Sequence, residues 1–548
     1  MSLTRARNQD EYPALGLSVE EAVEMPRIAI ESVSPTVEQG RFPTKGVAGR
    51  TTSIGAVVFT DGHDKLAVNL RWRSLNEDSW HAMPMAFLGN DHWEAAICPE
   101  QAGRYLFVIE AWRDLYASFY DEVEKKYRAG VPITLELQEG EQLIREAQQA
   151  AVPEHAQVLD RLIAQMDEAH ALDQRLSFFL APETLAIMRE AGIRSHQVFS
   201  QAYPLEVERP LAEFASWYEL FPRSVTSDPG RHGTFRDVIG RLPDISRMGF
   251  DVLYFPPIHP IGRTHRKGPN NSLVAGENDP GSPYAIGSPE GGHEAIHPEL
   301  GSLEDFLELV RQSRAHGLEI ALDFAIQCSP DHPWISEHPG WFSWRPDGTI
   351  RHAENPPKKY EDIVNVDFYQ KEAVPDLWVA LRDVVLGWVE RGVTLFRVDN
   401  PHTKPLPFWE WLIADIRTDH PDVIFLSEAF TKPAMMARLG KVGYSQSYTY
   451  FTWRNTKYEL ETYFTELNEP PWRDCYRPNF FVNTPDINPR FLHQSGRPGF
   501  LIRAALATMG SGLWGMYSGF EICESAPVQG KEEYLDSEKY EIRPRDYN

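Results

Sequence analysis

The stretch VTLFRVDNPHTKPLPFWEWLIADIRTDHPDVIFLSEAF, residues 393–430, combines an apolar run, an amphipathic helical pattern and a second apolar run. Each apolar run ends close to a carboxylic acid, at Asp399 and at Glu428. Apolar strands that are buried on both faces and alternate with amphipathic helices are typical of parallel sheets. The stretch therefore predicts a parallel β-α-β unit with one acidic group at the carboxyl end of each strand.

The same rhythm extends over residues 217–548. The strand candidates are WYELF, DVLYFPPI, LEIALDFAI, VTLFRVDN, VIFLSEAF, YSQSYTYF, NFFVNTPD and LWGMYSGFE. Eight strands with helices between neighbours predict an α/β protein with a (β/α)8 TIM barrel, and a loop subdomain is expected at about 325–370. The rival fold, a doubly wound open sheet, needs a phosphate-binding glycine fingerprint after an early strand, and the sequence has none.

The residues before the barrel have two other patterns. Residues 1–137 contain short β-rich runs separated by turns with Gly, Asp and Asn, which predict an N-terminal, immunoglobulin-like β-sandwich. Residues 138–202 are rich in Ala, Gln and Glu with helical spacing, which predicts a helical bundle. The β-like run PLEVERP lies within residues 203–216 and predicts a return strand of the sandwich, which makes the bundle an insert.

Composition limits the classes of function. The 548 residues include 79 Asp and Glu against 54 Lys and Arg, a net charge of −25, which argues against nucleic acids and anionic membranes as partners. Aromatic residues make up 12% of the chain, and their flat faces suit sugar rings, although many pack the core. The four cysteines lack the spacing of a zinc or disulfide framework. No run is apolar enough to span a membrane, so we expect a soluble, cytoplasmic protein.

Asp399 and Glu428 are candidates for a catalytic carboxylate pair. Arg397 lies two residues before Asp399 on the same face of the strand, and its charge favours the ionised form that a nucleophile requires. Glu428 has apolar neighbours, which we expect to raise its pKa as a proton donor requires. Neighbouring strands lie about 4.8 Å apart, and retaining glycosyl transfer needs carboxyls about 5–5.5 Å apart. Asp486 closes the strand candidate NFFVNTPD in the same way. Taken singly, each of these three acids could equally be a polar residue at a strand end with no catalytic role.

The set LDFAIQCSPDHPW, FRVDNPHTKP, FLSEAF and FVNTPD resembles the motifs of the α-amylase superfamily, glycoside hydrolase family 13. Within it the chain is most similar to bacterial maltosyltransferases that use α-maltose 1-phosphate to extend α-1,4-glucans, and the likeness covers essentially the whole chain. Typical amylases have Asn-His where this chain has Gln327 and Cys328, and His where it has Pro485. Both departures match the maltosyltransferases and count against a plain hydrolase.

The resemblance implies roles for individual residues. Asp399 would be the nucleophile, Glu428 the general acid/base, and Asp486 a carboxylate that binds sugar hydroxyls. Arg397 would be the buried partner of the nucleophile. The implied phosphate contacts are Lys267, Asn355, Lys358 and Tyr360, and the implied contacts to the donor sugar are Asn271, Gln327, Asn400, Lys539 and Tyr540. His402 and Lys404 could line the same site. Without the resemblance, the basic loops GRTHRKGPNNS and AENPPKKYED are as readily solvated surface.

The implied function is a retaining maltosyltransferase that needs no cofactor and no metal. It would move maltosyl units from α-maltose 1-phosphate to the non-reducing end of an α-1,4-glucan or maltooligosaccharide, releasing phosphate. The alternatives are an α-glucan hydrolase or isomerase on the same barrel, and an inactive carbohydrate-binding fragment. The resemblance also implies a homodimer, and a C-terminal β domain that we expect to be missing after RPRDYN.

Overall fold

The computed structural model describes residues 16, 18–355 and 358–547, except for the side chains of residues 354, 355, 358 and 359. It divides into two compact units. The first comprises the chain up to Thr36 together with Thr51–Cys98 and Tyr105–Leu205, and the second comprises Val37–Arg50, Pro99–Arg104 and the chain from Glu206 onward. None of the helices within the described ranges has the length and apolar composition that crossing a bilayer demands.

Short strands dominate the first part of the chain, after one short helix, α1 (Val19–Glu24). The strands are β1 (Ile28–Ser34), β2 (Thr44–Val47), β3 (Thr52–Thr60), β4 (Leu66–Ser74), β5 (His81–Pro84), β6 (Ala86–Gly89), β7 (His92–Ile97), β8 (Gly103–Arg113), β9 (Ser195–Phe199) and β10 (Tyr203–Glu208). The first unit contains an antiparallel sheet with the order β1-β3-β7-β6 and antiparallel pairing of β5, β4, β8 and β9. In β3, buried Ile54, Ala56 and Val58 alternate with more exposed residues, so one face of the strand is apolar.

A bundle of five helices completes the first unit. The helices are α2 (Leu115–Arg128), α3 (Thr134–Ala150), α4 (Pro153–Glu168), α5 (Leu172–Phe179) and α6 (Pro182–Ala191). The predicted bundle is present, but its helices begin at Leu115 and not at residue 138. Tyr116, Phe119 and Val123 of α2 are buried in the bundle core, so they form a helical stripe. Aromatic residues also suit strands, which is why this helix resembled the end of the sandwich in the sequence.

The second unit is built on strands that alternate with helices. Its further strands are β11 (Ala215–Glu219), β12 (Val252–Phe255), β13 (Glu319–Phe324), β14 (His352–Asn355), β15 (Lys358–Val364), β16 (Leu395–Asp399), β17 (Ile424–Glu428), β18 (Gln446–Ser447), β19 (Asn479–Phe481) and β20 (Leu513–Tyr517). Its helices are α7 (Phe235–Arg247), α8 (Leu303–Ala315), α9 (Pro333–Glu337), α10 (Asp376–Glu390), α11 (Leu406–Asp419), α12 (Pro433–Lys441), α13 (Lys457–Leu467), α14 (Trp472–Cys475) and α15 (Arg490–Gly510).

Eight of these strands form one parallel sheet with the order β18-β17-β16-β13-β12-β11-β20-β19. An isolated parallel bridge between Ser447 and Pro478 joins its two end strands, so the sheet closes into a barrel. The pairing of β18 with β17 is short and comprises two residue pairs. The predicted (β/α)8 fold is confirmed, and β14 and β15 form an antiparallel hairpin in the expected loop subdomain.

The interior of the barrel changes from apolar to polar along the strands. Trp217, Ala321, Leu395 and Leu426 belong to a buried apolar cluster inside the barrel. Because side chains on one face of a strand recur every second residue, the next inward positions are two residues further on. Those positions are Glu219, Asp323, Arg397 and Glu428. The strand geometry therefore concentrates ionisable groups at the carboxyl-terminal end of the barrel, where TIM-barrel enzymes carry their active sites.

Candidate active site

Arg397 is the centre of a buried cluster of charges at this end of the barrel. Its Nη1 donates to Asp323 Oδ2 at 2.8 Å and to Asp399 Oδ1 at 2.9 Å. Its Nη2 lies 3.1 Å from Glu428 Oε1. The Arg397 side chain is 6% exposed, and the three carboxylates are 0–13% exposed. One guanidinium therefore orients three carboxylates from three neighbouring strands, with water largely excluded.

Asp399 and Glu428 are direct partners in the pairing of β16 with β17. Adjacent strands are about 4.8 Å apart, which suits the roughly 5–5.5 Å separation of a retaining carboxylate pair. Asn400 links the two groups, because its backbone N–H donates to Glu428 Oε2 at 3.1 Å and its Nδ2 donates to Asp399 Oδ2 at 3.3 Å. Asn400 has a left-handed backbone, with φ 42° and ψ 52°, which Asn tolerates better than most residues. Lys404 Nζ holds this turn by donating to the carbonyls of residues 399 and 400.

The two carboxyls of the pair have opposite pKa shifts. Burial alone raises the pKa of any carboxyl. At Asp399 the nearby cations, Arg397 foremost, outweigh burial, and the pKa lies below its ordinary value. At Glu428 burial prevails over the attraction of Arg397, repulsion from Asp399 adds to it, and the pKa rises to about 7. Asp399 is therefore ionised at neutral pH, whereas Glu428 can both give and take a proton there.

Asp323 is a member of the cluster to which the sequence had assigned no catalytic role. Tyr254 and Tyr284 donate their hydroxyls to Asp323 Oδ2 at 2.6 and 2.9 Å, beside Arg397. Burial raises the pKa of Asp323 to about 6. Strand alternation could have identified Tyr254, which faces inward on β12, but Tyr284 lies in a loop without a periodic pattern.

Asp486 forms an ion pair with Lys539, a residue that follows the last strand by more than twenty positions. Lys539 Nζ donates to Asp486 Oδ1 at 2.7 Å and to Oδ2 at 3.0 Å, and the Asp486 side chain remains 49% exposed. The same ammonium lies 4.7 Å from the centre of the Tyr284 ring. Burial raises the pKa of the neighbouring Tyr540 to about 12, although the Lys539 charge opposes this. The segment after β20 thus brings two predicted site residues to Asp486.

The predicted phosphate contacts are described only in part. Lys267 is 3% exposed, and Asp362 is 5% exposed. Burial raises the pKa of Asp362, and the charge of Lys267 is the largest influence that lowers it. Tyr360 is two residues before Asp362 on β15, so the two side chains share a face of the hairpin. The side chains of Asn355 and Lys358 lie outside the described residues.

Other predicted residues lie near the carboxyl ends of the strands without joining the cluster. Gln327 is 8% exposed and follows β13. Asn271 is exposed on the turn Pro269–Asn271. Within the ranges that the structure describes, neither side chain is hydrogen-bonded to the Arg397 cluster. His402 is half-buried in the loop after β16, and burial lowers its pKa.

Among the residues that the structure describes, two groups of side chains have donor atoms close enough together for a metal ion. They are His293 with Cys328 and His332, and His232 with His297 and Glu299. In the first group the backbone N–H of Trp334 donates to His332 Nδ1, and His332 Nε2 lies 3.1 Å from His293 Nδ1. His293 Nε2 in turn lies 2.9 Å from the carbonyl of Ala325. All four ring nitrogens of His293 and His332 are thus engaged in hydrogen bonds. These hydrogen bonds explain why the first group is close together without a metal ion.

A parallel (β/α)8 barrel with an ionised aspartate beside a glutamate of raised pKa at adjacent strand ends has the arrangement expected of an enzyme that transfers glycosyl groups. Comparison with known families gives a match over the first part of the chain. The model of the family described as alpha-1,4-glucan:maltose-1-phosphate maltosyltransferase, domain N/S, matches residues 26–209. An alpha-1,4-glucan:maltose-1-phosphate maltosyltransferase of Pseudomonas aeruginosa is 65% identical over 541 residues, which cover 99% of this chain and 81% of that protein. The chain belongs to the alpha-1,4-glucan:maltose-1-phosphate maltosyltransferase family.

A second relative of the same name, from Burkholderia pseudomallei, is 57% identical over 541 residues. The match covers 98% of this chain and 47% of that protein. Among solved structures, an alpha-amylase from Lactobacillus plantarum is 23% identical with a TM-score of 0.47. That match covers 59% of this chain and 75% of the amylase.

Proposed function

We propose that this chain is a retaining maltosyltransferase that moves maltosyl units from α-maltose 1-phosphate to the non-reducing end of α-1,4-glucans. The observation that carries the proposal is the Arg397 guanidinium, which holds Asp399 and Glu428 side by side while their pKa values are shifted in opposite directions. The names of the relatives supply the donor and the acceptor.

In the first step Asp399 attacks the anomeric carbon of the donor. A bond forms from its carboxylate oxygen to that carbon, and the bond from the carbon to the phosphate oxygen breaks with its electron pair on phosphate. Arg397 keeps Asp399 ionised for this attack. Phosphate is a good leaving group and needs little protonation, so the step depends mainly on positioning.

In the second step the 4-hydroxyl of the acceptor attacks the β-maltosyl ester on Asp399. Glu428 accepts the hydroxyl proton, the new α-glycosidic bond forms, and the Asp399 carboxylate leaves. A base with a pKa of about 7 suits proton transfer near neutral pH. Two inversions at the anomeric carbon give net retention. Exclusion of water from the Arg397 cluster protects the ester from hydrolysis.

Substrate recognition is assigned to groups around the pair. Asp486 binds sugar hydroxyls, in keeping with its exposed carboxylate beside Lys539. The proposed phosphate contacts are Lys267, Asn355, Lys358 and Tyr360, and the proposed sugar contacts are Asn271, Gln327, Asn400, Lys539 and Tyr540. Lys267 supports the phosphate assignment best, because it is a buried cation beside a buried carboxyl.

A homodimer and a cytoplasmic location complete the proposal, and both rest on the family resemblance. Size-exclusion chromatography with light scattering tests the assembly, since a dimer has twice the 62.6 kDa mass of the chain. A mass equal to one chain over the working concentration range would refute the dimer.

Phosphate release from α-maltose 1-phosphate tests the function. With a maltooligosaccharide acceptor we expect release of phosphate together with products longer by two glucose units, joined by α linkages. With glucan alone we expect no shortening, which separates the transferase from a hydrolase. Release of phosphate with only free maltose as the product would refute transfer, and absence of release would refute the choice of donor.

A further inference from the structure

Arg223 is a buried cation to which the proposed reaction gives no role. It lies in the turn Pro222–Ser224, just after β11, and is 4% exposed. Its Nη1 donates to the carbonyl of Gly281 at 2.9 Å. Its Nη2 donates to the carbonyls of Glu538 and Lys539, both at 2.8 Å. One guanidinium therefore joins two segments that are far apart in the sequence.

The two segments carry side chains that meet beside the catalytic cluster. Tyr284 follows Gly281 by three residues, and its hydroxyl donates to Asp323. Lys539 extends its ammonium over the Tyr284 ring, 4.7 Å from the ring centre, and onto both oxygens of Asp486. A shift of either segment by a fraction of an ångström would alter the Lys539–Asp486 geometry, because hydrogen bonds weaken steeply as their geometry degrades.

Arg223 is itself held in place. Its own carbonyl accepts the N–H of Gly233 at 2.7 Å. A Cβ at residue 233 would lie 2.4 Å from the carbonyl oxygen of Pro222, so the two turns are in close contact. Burial lowers the pKa of Arg223 to about 10, with the Glu538 charge opposing this, and the guanidinium stays charged at neutral pH. A planar fork with donors on two sides can hold two segments at once, which an ammonium cannot do in the same way.

We propose that Arg223 is a positioning residue of the donor site, which fixes the Gly281–Tyr284 and Glu538–Lys539 segments so that Lys539 stays on Asp486. The kinetic part of this inference rests on the proposed function, because it assigns Lys539 to the donor sugar. The structural part states only that Arg223 fixes the two segments, and it does not depend on the proposed function.

A double-mutant cycle tests the kinetic part. Arg223→Met should lower kcat/KM for α-maltose 1-phosphate about ten- to a hundredfold, the range expected for loss of one charge-assisted contact at Lys539. In a Lys539→Met background the same change should cost less than about threefold, because the contact that Arg223 positions is already absent. If the loss of kcat/KM in the double variant equals the product of the losses in the two single variants, the inference is overturned. If Arg223→Met does not fold, Arg223→Lys takes its place in the cycle.

Hydrogen–deuterium exchange tests the structural part without any assay of activity. Arg223→Met should speed exchange in residues 281–284 and 536–541 relative to the wild type. The matched control is Arg503→Met, because Arg503 is 2% exposed and also donates to two backbone carbonyls, those of Phe451 and Arg454. The control should lower the melting temperature without changing exchange in those two segments. Unchanged exchange in folded Arg223→Met would refute the positioning role, whereas an inactive wild type would refute only the proposed function.

Discussion

Replacement of Glu428 by Gln should separate the two steps of the reaction. The amide keeps the size of the side chain but cannot accept the proton of an acceptor hydroxyl. General base catalysis is worth about 10²–10⁴ in rate, or about 3–6 kcal/mol at roughly 1.4 kcal/mol per decade. The phosphate-releasing step needs little acid help, so we expect it to slow less than about tenfold. The maltosyl ester on Asp399 should therefore accumulate.

The same substitution has a calculable effect on stability. The pKa of Glu428 is raised from 4.5 to about 7 in the folded protein. A difference of about 2.5 units corresponds to about 3 kcal/mol at roughly 1.36 kcal/mol per unit. Because the folded pKa lies above the unfolded one, the folded state binds the proton more tightly. The wild-type carboxyl therefore loses its favourable contribution as pH rises from about 4.5 through about 7, while Gln at that position does not titrate.

Two measurements check these expectations. Rapid-quench kinetics with α-maltose 1-phosphate should show a stoichiometric burst of phosphate in Glu428→Gln, and intact-protein mass spectrometry should show one added disaccharide. Thermal melts should show a gain in melting temperature for the variant, relative to the wild type, that is larger at pH 8 than at pH 4.5. A folded variant that binds donor but shows no burst would refute the division of labour between Asp399 and Glu428. An equal difference in melting temperature at both pH values would refute the raised pKa.

Three further substitutions test the nucleophile, the phosphate contact and the packing of the barrel. Asp399→Asn should abolish both phosphate release and transfer while the melting temperature stays within a few degrees, and turnover above a small fraction of the wild type would exclude Asp399 as nucleophile. Lys267→Ala should lower kcat/KM for α-maltose 1-phosphate about ten- to a hundredfold and for maltosyl fluoride much less, whereas equal losses on both donors would remove the phosphate assignment. Gly515→Ala should destabilise the protein by about 1–3 kcal/mol, because its Cβ would lie 2.5 Å from the Phe481 ring. Gly387→Ala, at an open position in a helix, is the matched control and should be neutral or stabilising in the same thermal melt.

The barrel was predictable because the composition of the single strands agrees with the regular alternation of strands and helices along the chain. Most of the strand candidates are rich in apolar residues, and polar residues close several of them, as at Asp323 and Asp399. The helix α2 lies within residues 1–137, the range interpreted from the sequence as the sandwich, and its aromatic residues suit strands as well as helices. The strand at YSQSYTYF proved to be only two residues long, since the following residues turn into a short 3₁₀ helix at Tyr450–Trp453.

The site was predictable where it lies on strands and not where it depends on contacts between strands. That Arg397 precedes Asp399 by two residues is a property of one strand, and the sequence shows it. The same guanidinium also contacts Glu428 and Asp323. These contacts depend on the register of three neighbouring strands, which the sequence of one strand does not show. The Arg223 contacts were not foreseen either, because they join backbone carbonyls in loops that have no periodic pattern.

The closure of the barrel gives unequal support to the strands that carry the two proposed catalytic carboxyls. The strand of the proposed nucleophile, β16, is flanked by ladders of four and five residue pairs. The strand of Glu428, β17, has that five-residue ladder on one side and the two-pair ladder of β18 on the other, and a single bridge at Ser447 and Pro478 completes the ring. We therefore expect the barrel to be stiffer around Asp399, the carboxylate that forms a covalent bond in the proposed mechanism. We expect it to be more compliant on the side of Glu428, which in the proposed mechanism must accept the proton of a bulky glucan acceptor.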